Sequence, residues 1–182
     1  MLLRWSALCA QLSQSEIECM RRCLPAAIVV IFALPCYADA PVGYPFVPFD
    51  EGLRTARSSD KPIFLYFGRY GCTFCDMTNK RAFVDPGVRE RYVDHYVLVY
   101  VDAESGRRLE LPSGERITEA ELGARLKVFV TPFFAFLDSE GRPLGATAGV
   151  KTVAELLAMD RFVMEGHHDE MTLHEYMMSQ AP

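Results

Sequence analysis

From Phe49 onward the chain alternates unbroken apolar runs with stretches of helical period. In "FDEGLRTARSSD", Phe49, Leu53 and Ala56 share one helical face and Asp50 and Glu51 lie in the first turn, which predicts a short amphipathic helix. "KPIFLYF" (61–67) is continuously apolar and too short for a helix, so it predicts a buried central strand, followed by a turn from Gly68 to Gly71. "DMTNKRAFV" (76–84) predicts a helix with Met77, Arg81 and Val84 spaced along it. "DPGVRERYVDHY" restarts the helix: Asp85 is a good N-cap, and Pro86 sits at the first helical position, where its missing N–H costs nothing. Val88, Tyr92 and Val93 give its apolar face, and "YVLVYVDA" (96–103) reads as a second buried strand.

Beyond it, "ESGRRLELPSGERIT" (104–118) is polar and turn-rich, with "LEL" and "ERI" flanking "PSG", which predicts a small hairpin or loop insertion. Thr118 and Glu121 form a capping box for the helix "EAELGARLK". "VFVTPFFAFLD" contains a strand, "DSEGRP" is a turn and "LGATAG" a short strand. "TVAELLAMDRFVME" (152–165) predicts a helix with Val153, Leu156, Leu157, Phe162 and Val163 inward, and Thr172 with Glu175 caps a last short helix. Strands that alternate with helices, then a hairpin and a final helix, predict an α/β sheet with helices on both faces. The expected organisation is an N-terminal extension with a signal peptide (1–40), a Pro-rich lead-in (41–48), one domain (49–165), and a C-terminal tail with a short helix (166–182).

The first forty residues follow other rules. Met20-Arg21-Arg22 is a basic start, "CLPAAIVVIFALP" (23–35) an apolar run of h-region length, and "ADA" supplies small residues for cleavage after Ala40 or, as second choice, Ala38. The run is short for a span of ~20 residues, though an uncleaved membrane anchor is the alternative. Residues 1–19 precede a complete signal and read as an upstream mis-start or a long n-region. The expected compartment is the periplasm. A chain of 182 residues that is half apolar, with net charge −5 and no basic patch, makes nucleic acid an unsuitable partner. No G-x-G-x-x-G or P-loop pattern is present.

Export makes the cysteines informative. Cys9, Cys19, Cys23 and Cys36 lie in the leader, so the mature chain keeps Cys72 and Cys75, in an oxidising compartment. The pair sits between a strand end and a helix start, where the helix N-terminus favours thiolate. Cys72 there can attack a substrate disulfide, and Cys75, one turn on, can resolve the mixed disulfide. Two other uses stand beside this one. A disulfide closing so small a loop restrains the unfolded chain least and makes a poor staple. Zinc or an iron–sulfur centre needs further soft ligands, and the mature chain offers only His95, in a helical run, and His167, His168 and His174, in a polar tail that reads as solvated. "VTPFF" (130–134) is the second signal: Pro132 belongs at a strand start, the Thr131–Pro132 bond can be cis, and a loop packed on the cysteines would leave the Thr131 backbone free to pair with an extended substrate.

Together, "PIFLYF", the CxxC at a helix start, "VLVYVDA", the "TP" before a strand, the closing hairpin and Gly149 before the last long helix resemble the thioredoxin superfamily, over roughly Phe49 to Glu165. The stretch from Gly71 to Asp102 is similar to periplasmic thioredoxins of the SoxW type and to the C-terminal domain of DsbD. The polar insertion before the third helix and the Tyr176 tail favour the SoxW type. The resemblance implies a thioredoxin-like fold, a central mixed sheet flanked by helices. It implies a thiol-disulfide oxidoreductase acting as a reductase of disulfides or persulfide adducts on partner proteins, recharged by a membrane thiol-transporting donor. A disulfide-forming oxidase or isomerase and a non-catalytic client-binding protein are the alternatives. Carried over, Cys72 is the attacking thiol, Cys75 the resolving thiol and Pro132 the cis proline, with Thr131, Thr73 and Phe74 at the substrate. No metal and no cofactor beyond the cysteine pair are expected, and the chain is expected to be a monomer. It departs from cytosolic thioredoxins in having Gly71 where they have Trp, Thr73-Phe74 where they have Gly-Pro, and Tyr66 and Leu98 where they place a buried acid and its lysine.

Overall fold

The structure, a computed structural model, describes residues 40–180. The expected export signal and the four leader cysteines lie outside the described residues. Within them, no helix is long and apolar enough to cross a membrane.

The two continuous apolar runs become neighbouring strands. β1 (Ile63–Gly68) lies between β2 (Val97–Asp102), parallel to it, and β5 (Phe133–Leu137), antiparallel to it. β6 (Pro143–Ala148) completes a mixed sheet of order β2-β1-β5-β6. Every residue of β1 is buried, as a run without polar alternation requires, because both faces of a central strand are covered. β3 (Arg108–Glu110) and β4 (Arg116–Thr118) form the separate polar hairpin, with Leu109 opposite Ile117.

Six helices flank the sheet among the described residues: α1 (Phe49–Ser59), α2 (Thr73–Arg81), α3 (Pro86–His95), α4 (Glu119–Arg125), α5 (Val153–Met164) and α6 (Leu173–Ser179). Strand alternation sends side chains into two cores. Phe64, Tyr66, Leu98, Tyr100, Phe134 and Phe136 pack under α2, α3, α5 and α6. Ile63, Leu65, Phe67, Val97, Val99 and Val101 pack under α1, the hairpin and α4. The α1–β2 crossing is close enough that a Cβ on Gly52 would lie 2.2 Å from Val99 Cγ2. The lead-in covers the free side of β2: Val47 N–H donates to Leu98 O at 2.9 Å, and Tyr100 N–H donates to Val47 O at 3.3 Å.

Between α3 and α5, Asp160 is fully buried. It accepts from Arg91 (3.1 Å) and the Tyr96 hydroxyl (3.1 Å), and its other contact is His95 Nδ1 at 2.7 Å, which must carry the proton because a carboxylate only accepts. Tyr92 donates to the Leu156 carbonyl at 2.9 Å. Burial first, and the Asp160 charge second, push the ionisation of both tyrosines well up.

Two expectations need correction. The helix after the cysteines begins at Thr73, not Asp76, because Cys72 itself is the N-cap. It turns Cys75 and Thr78 inward, followed by Ala82 and Phe83, and leaves Arg81 and Val84 exposed. The tail is not merely solvated: the His167 ring stacks on Tyr176 at 4.8 Å, His168 meets the edge of Phe162, and Leu173 and Tyr176 are buried in the first core.

Candidate active site

The site is made where β1 ends. Gly71 has φ +67 with open space beside it, a left-handed turn that favours glycine, and it brings the chain from strand to helix within a few residues. Cys72 then caps α2, with the Cys75 backbone N–H donating to its sulfur at 3.1 Å. The two cysteines are joined in a disulfide, with Cα atoms 5.2 Å apart. Cys72 is 6 % exposed and Cys75 1 %, so the first cysteine is the more accessible of two buried residues. The Cys75 amide and the positive end of α2 are aimed at the Cys72 sulfur, a placement that favours thiolate over thiol in a reduced cysteine.

The second half of the site is the turn before β5. The Thr131–Pro132 peptide bond is cis. Thr131 Oγ1 lies 3.3 Å and its carbonyl oxygen 3.7 Å from Cys72 Sγ, so this turn packs directly on that sulfur. Pro132 is buried and Thr131 half-buried. The Pro132 carbonyl accepts from Gly149 N–H at 2.8 Å, which ties the turn to the end of β6.

Apolar side chains around this junction face solvent. Thr73 and Phe74 lie in the first turn of α2, both exposed, and Phe74 is 60 % accessible. Tyr70 precedes the first cysteine by two residues, and Phe129 and Val130 precede Thr131; all three are exposed, Phe129 at 86 %. The cavity nearest α2, of about 410 Å³, is walled by Ala40, Asp76, Asn79, Lys80, Phe83 and Arg89, and neither cysteine lines it. The arrangement suits a macromolecular disulfide laid across an open surface.

The structure therefore brings Cys72, Cys75, Thr131 and Pro132 together and leaves Thr73 and Phe74 on the rim. Tyr66 is wholly buried beneath them, its hydroxyl donating to Asn79 Oδ1 on α2 at 3.0 Å. Sequence reasoning missed Thr78 and Lys151. Thr78 is a polar residue in an exposed-looking helix, and Lys151 reads as solvated beside a helix start; both are buried. His95 pairs with Asp160, and no group of three or more His, Cys, Asp or Glu among the described residues is placed to hold a metal.

A family model described as thioredoxin-like domain matches residues 49–163. Among solved structures, a thioredoxin from Thermus thermophilus is 27% identical, covering 66% of this chain and 87% of its own, with TM-score 0.55. A thioredoxin-fold protein from Helicobacter pylori is 20% identical over 66% of this chain and 84% of its own, with TM-score 0.56. A DsbH oxidoreductase is 20% identical over 80% of this chain and 98% of its own, with TM-score 0.53. A search of curated proteins gives no significant match.

Proposed function

We propose that this chain, which belongs to the thioredoxin-like domain family, is a periplasmic thiol-disulfide oxidoreductase that reduces disulfides or persulfide adducts on partner proteins. The observation that carries the reading is the Thr131–Pro132 turn seated on the same Cys72 sulfur that accepts from the Cys75 amide. The Cys75 amide prepares the sulfur for thiolate, and the turn beside it offers backbone that an extended substrate can pair with.

In this reading the Cys72 thiolate attacks one sulfur of the substrate disulfide. The other substrate sulfur leaves as thiolate and takes a proton from solvent. The Cys75 thiol then loses its proton and attacks Cys72 in the mixed disulfide. The Cys72–Cys75 bond forms, the second substrate sulfur leaves, and two electrons have passed to the client. A dithiol on a membrane thiol-transporting donor reverses the exchange and restores the reduced pair. Phe74, Phe129, Val130 and Tyr70 supply apolar contact on either side of the reacting sulfur. The SoxW-type assignment rests on the polar hairpin β3–β4 and on the tail helix that buries Tyr176, and the periplasmic one on the signal pattern at 20–40.

The test is a trap and a potential. Cys75→Ser should accumulate mixed disulfides through Cys72, and their absence makes the chain a non-catalytic binding protein. Equilibration of the pair with glutathione should give a potential near thioredoxin's ~−270 mV. A value near DsbA's ~−120 mV makes it a disulfide-forming oxidant instead.

A further inference from the structure

Lys151 is the one lysine among the described buried residues, 7 % exposed, in the short connection between β6 and α5. Among the described residues no carboxylate lies within ion-pair distance of its ammonium. Its Nζ instead donates to two backbone carbonyls, Ala148 O at 2.5 Å and Gly149 O at 3.2 Å. An ammonium is costly to bury, and carbonyls repay less of that cost than a carboxylate does. Burial holds its pKa below the ordinary lysine value, opposed only by the Glu155 charge. A solvated polar residue or a leucine fits this position at lower cost, so the lysine calls for an explanation.

The covalent connectivity supplies one. The Ala148 carbonyl and the Gly149 N–H are the two ends of a single peptide group. Lys151 Nζ donates to the first end, and the second end donates to Pro132 O at 2.8 Å. A cation on the carbonyl draws electron density through the amide and strengthens the N–H as a donor. Pro132 O is one peptide along from the Thr131 carbonyl that faces Cys72 Sγ. On its other side the Lys151 backbone N–H donates to Thr78 Oγ1 at 3.3 Å, and that hydroxyl donates to Phe74 O at 3.4 Å, in the turn of α2 that holds both cysteines. One residue thus bonds to both halves of the site.

We propose that Lys151 is a positioning residue for the cysteine site, its ammonium fixing the Pro132 turn at the height over Cys72 that a client backbone needs. This rests on the oxidoreductase reading for its kinetic consequence, but its structural part stands separately. The role is to hold the client-binding turn, not to move a proton or touch the sulfurs. It therefore acts on client affinity and leaves thiol chemistry on a small disulfide alone.

The test uses the full chain with Lys151→Met, which keeps the length and loses the charge, and Lys151→Gln, which keeps a neutral donor. With a protein disulfide, Lys151→Met should raise KM about tenfold, as the loss of one charge-assisted hydrogen bond does. Its kcat on a small-molecule disulfide should stay within about twofold, and Lys151→Gln should fall between wild type and Lys151→Met. Hydrogen exchange at the Gly149 amide should speed up in the same order. A wild-type KM together with wild-type exchange at Gly149 overturns the proposal. So does a loss of thermal stability with both unchanged, since that marks a purely structural lysine. Should Lys151→Met not fold, Lys151→Gln carries the same two outcomes. If wild-type protein reduces no disulfide, the oxidoreductase reading fails while Gly149 exchange still decides the lysine.

Discussion

The two cores on either side of β1 are made from the same strands and are chemically unlike. The core beneath α2 and α3 is built of rings: Phe64 meets Tyr92 edge-on at 4.8 Å and stacks on Phe134 at 5.8 Å, while Tyr66 leans on Phe134 at 4.8 Å. Hydroxyls thread it to named acceptors, Tyr44 to Phe83 O, Tyr92 to Leu156 O, Tyr96 to Asp160 and Tyr66 to Asn79. The core beneath α1 and the hairpin is mainly aliphatic and β-branched, with Phe49 and Phe67 as its buried rings, and its polar ties are ion pairs, Arg125 with Glu115 at the exposed rim and Arg107 with the buried Glu119. Aliphatic packing tolerates exchange of similar volumes, whereas a ring with a bonded hydroxyl fits one orientation. The cysteine helix lies on the side that fixes orientation.

The contrast can be broken by substitution, and the largest effect comes first. Phe64→Ala should cost about 4 kcal/mol and Leu65→Ala about 3 kcal/mol in denaturant unfolding, although both are fully buried neighbours. Equal costs would remove the energetic side of the contrast. Asp160→Ala strips Arg91, His95 and Tyr96 of their common acceptor, and we expect a loss of about 3 kcal/mol with the reactivity of Cys72 toward an alkylating agent unchanged. Loss of Cys72 reactivity in that variant would show that the α3–α5 tie reaches the site. Tyr92→Phe removes one buried donor and should cost about 1 kcal/mol by thermal unfolding, a change too small in volume to matter if orientation were unimportant. Arg125→Ala, on the aliphatic side, should leave the unfolding midpoint within error, because both partners of its pair are solvent-exposed. A measurable loss there would make the rim pairs part of what holds that core.

What the sequence disclosed follows the same division. β1 and β2 were legible because a run without alternation has one stable home, and the helix starts at Asp85, Thr118 and Thr172 because capping is local chemistry within three residues. The cysteine pair was legible from its place between strand and helix. The inward face of α2 was not: it meets the Thr131–Pro132 turn and the β6–α5 connection, far along the chain, so Thr78 is buried while the more apolar Val84, just past the helix end, is exposed. Asp160 was illegible for a related reason. A buried charge is tolerated only by partners it meets in three dimensions, and Asp160 finds them 64 to 69 residues away.

The disulfide at the cap of α2 has one more consequence. The same four-residue ring closes in the folded chain and in the unfolded one, so oxidation and unfolding form a thermodynamic square. Whatever the Cys75 amide, the helix end and Thr131 do for the reduced sulfur, they alter the unfolding free energy of reduced protein against oxidised protein by the same amount, at about 1.4 kcal/mol for every 30 mV. If the fold favours the dithiol over the disulfide, reduced protein unfolds later than oxidised. Two unfolding curves, one in each redox state, thus weigh the electrons this protein prefers to hold without any partner present.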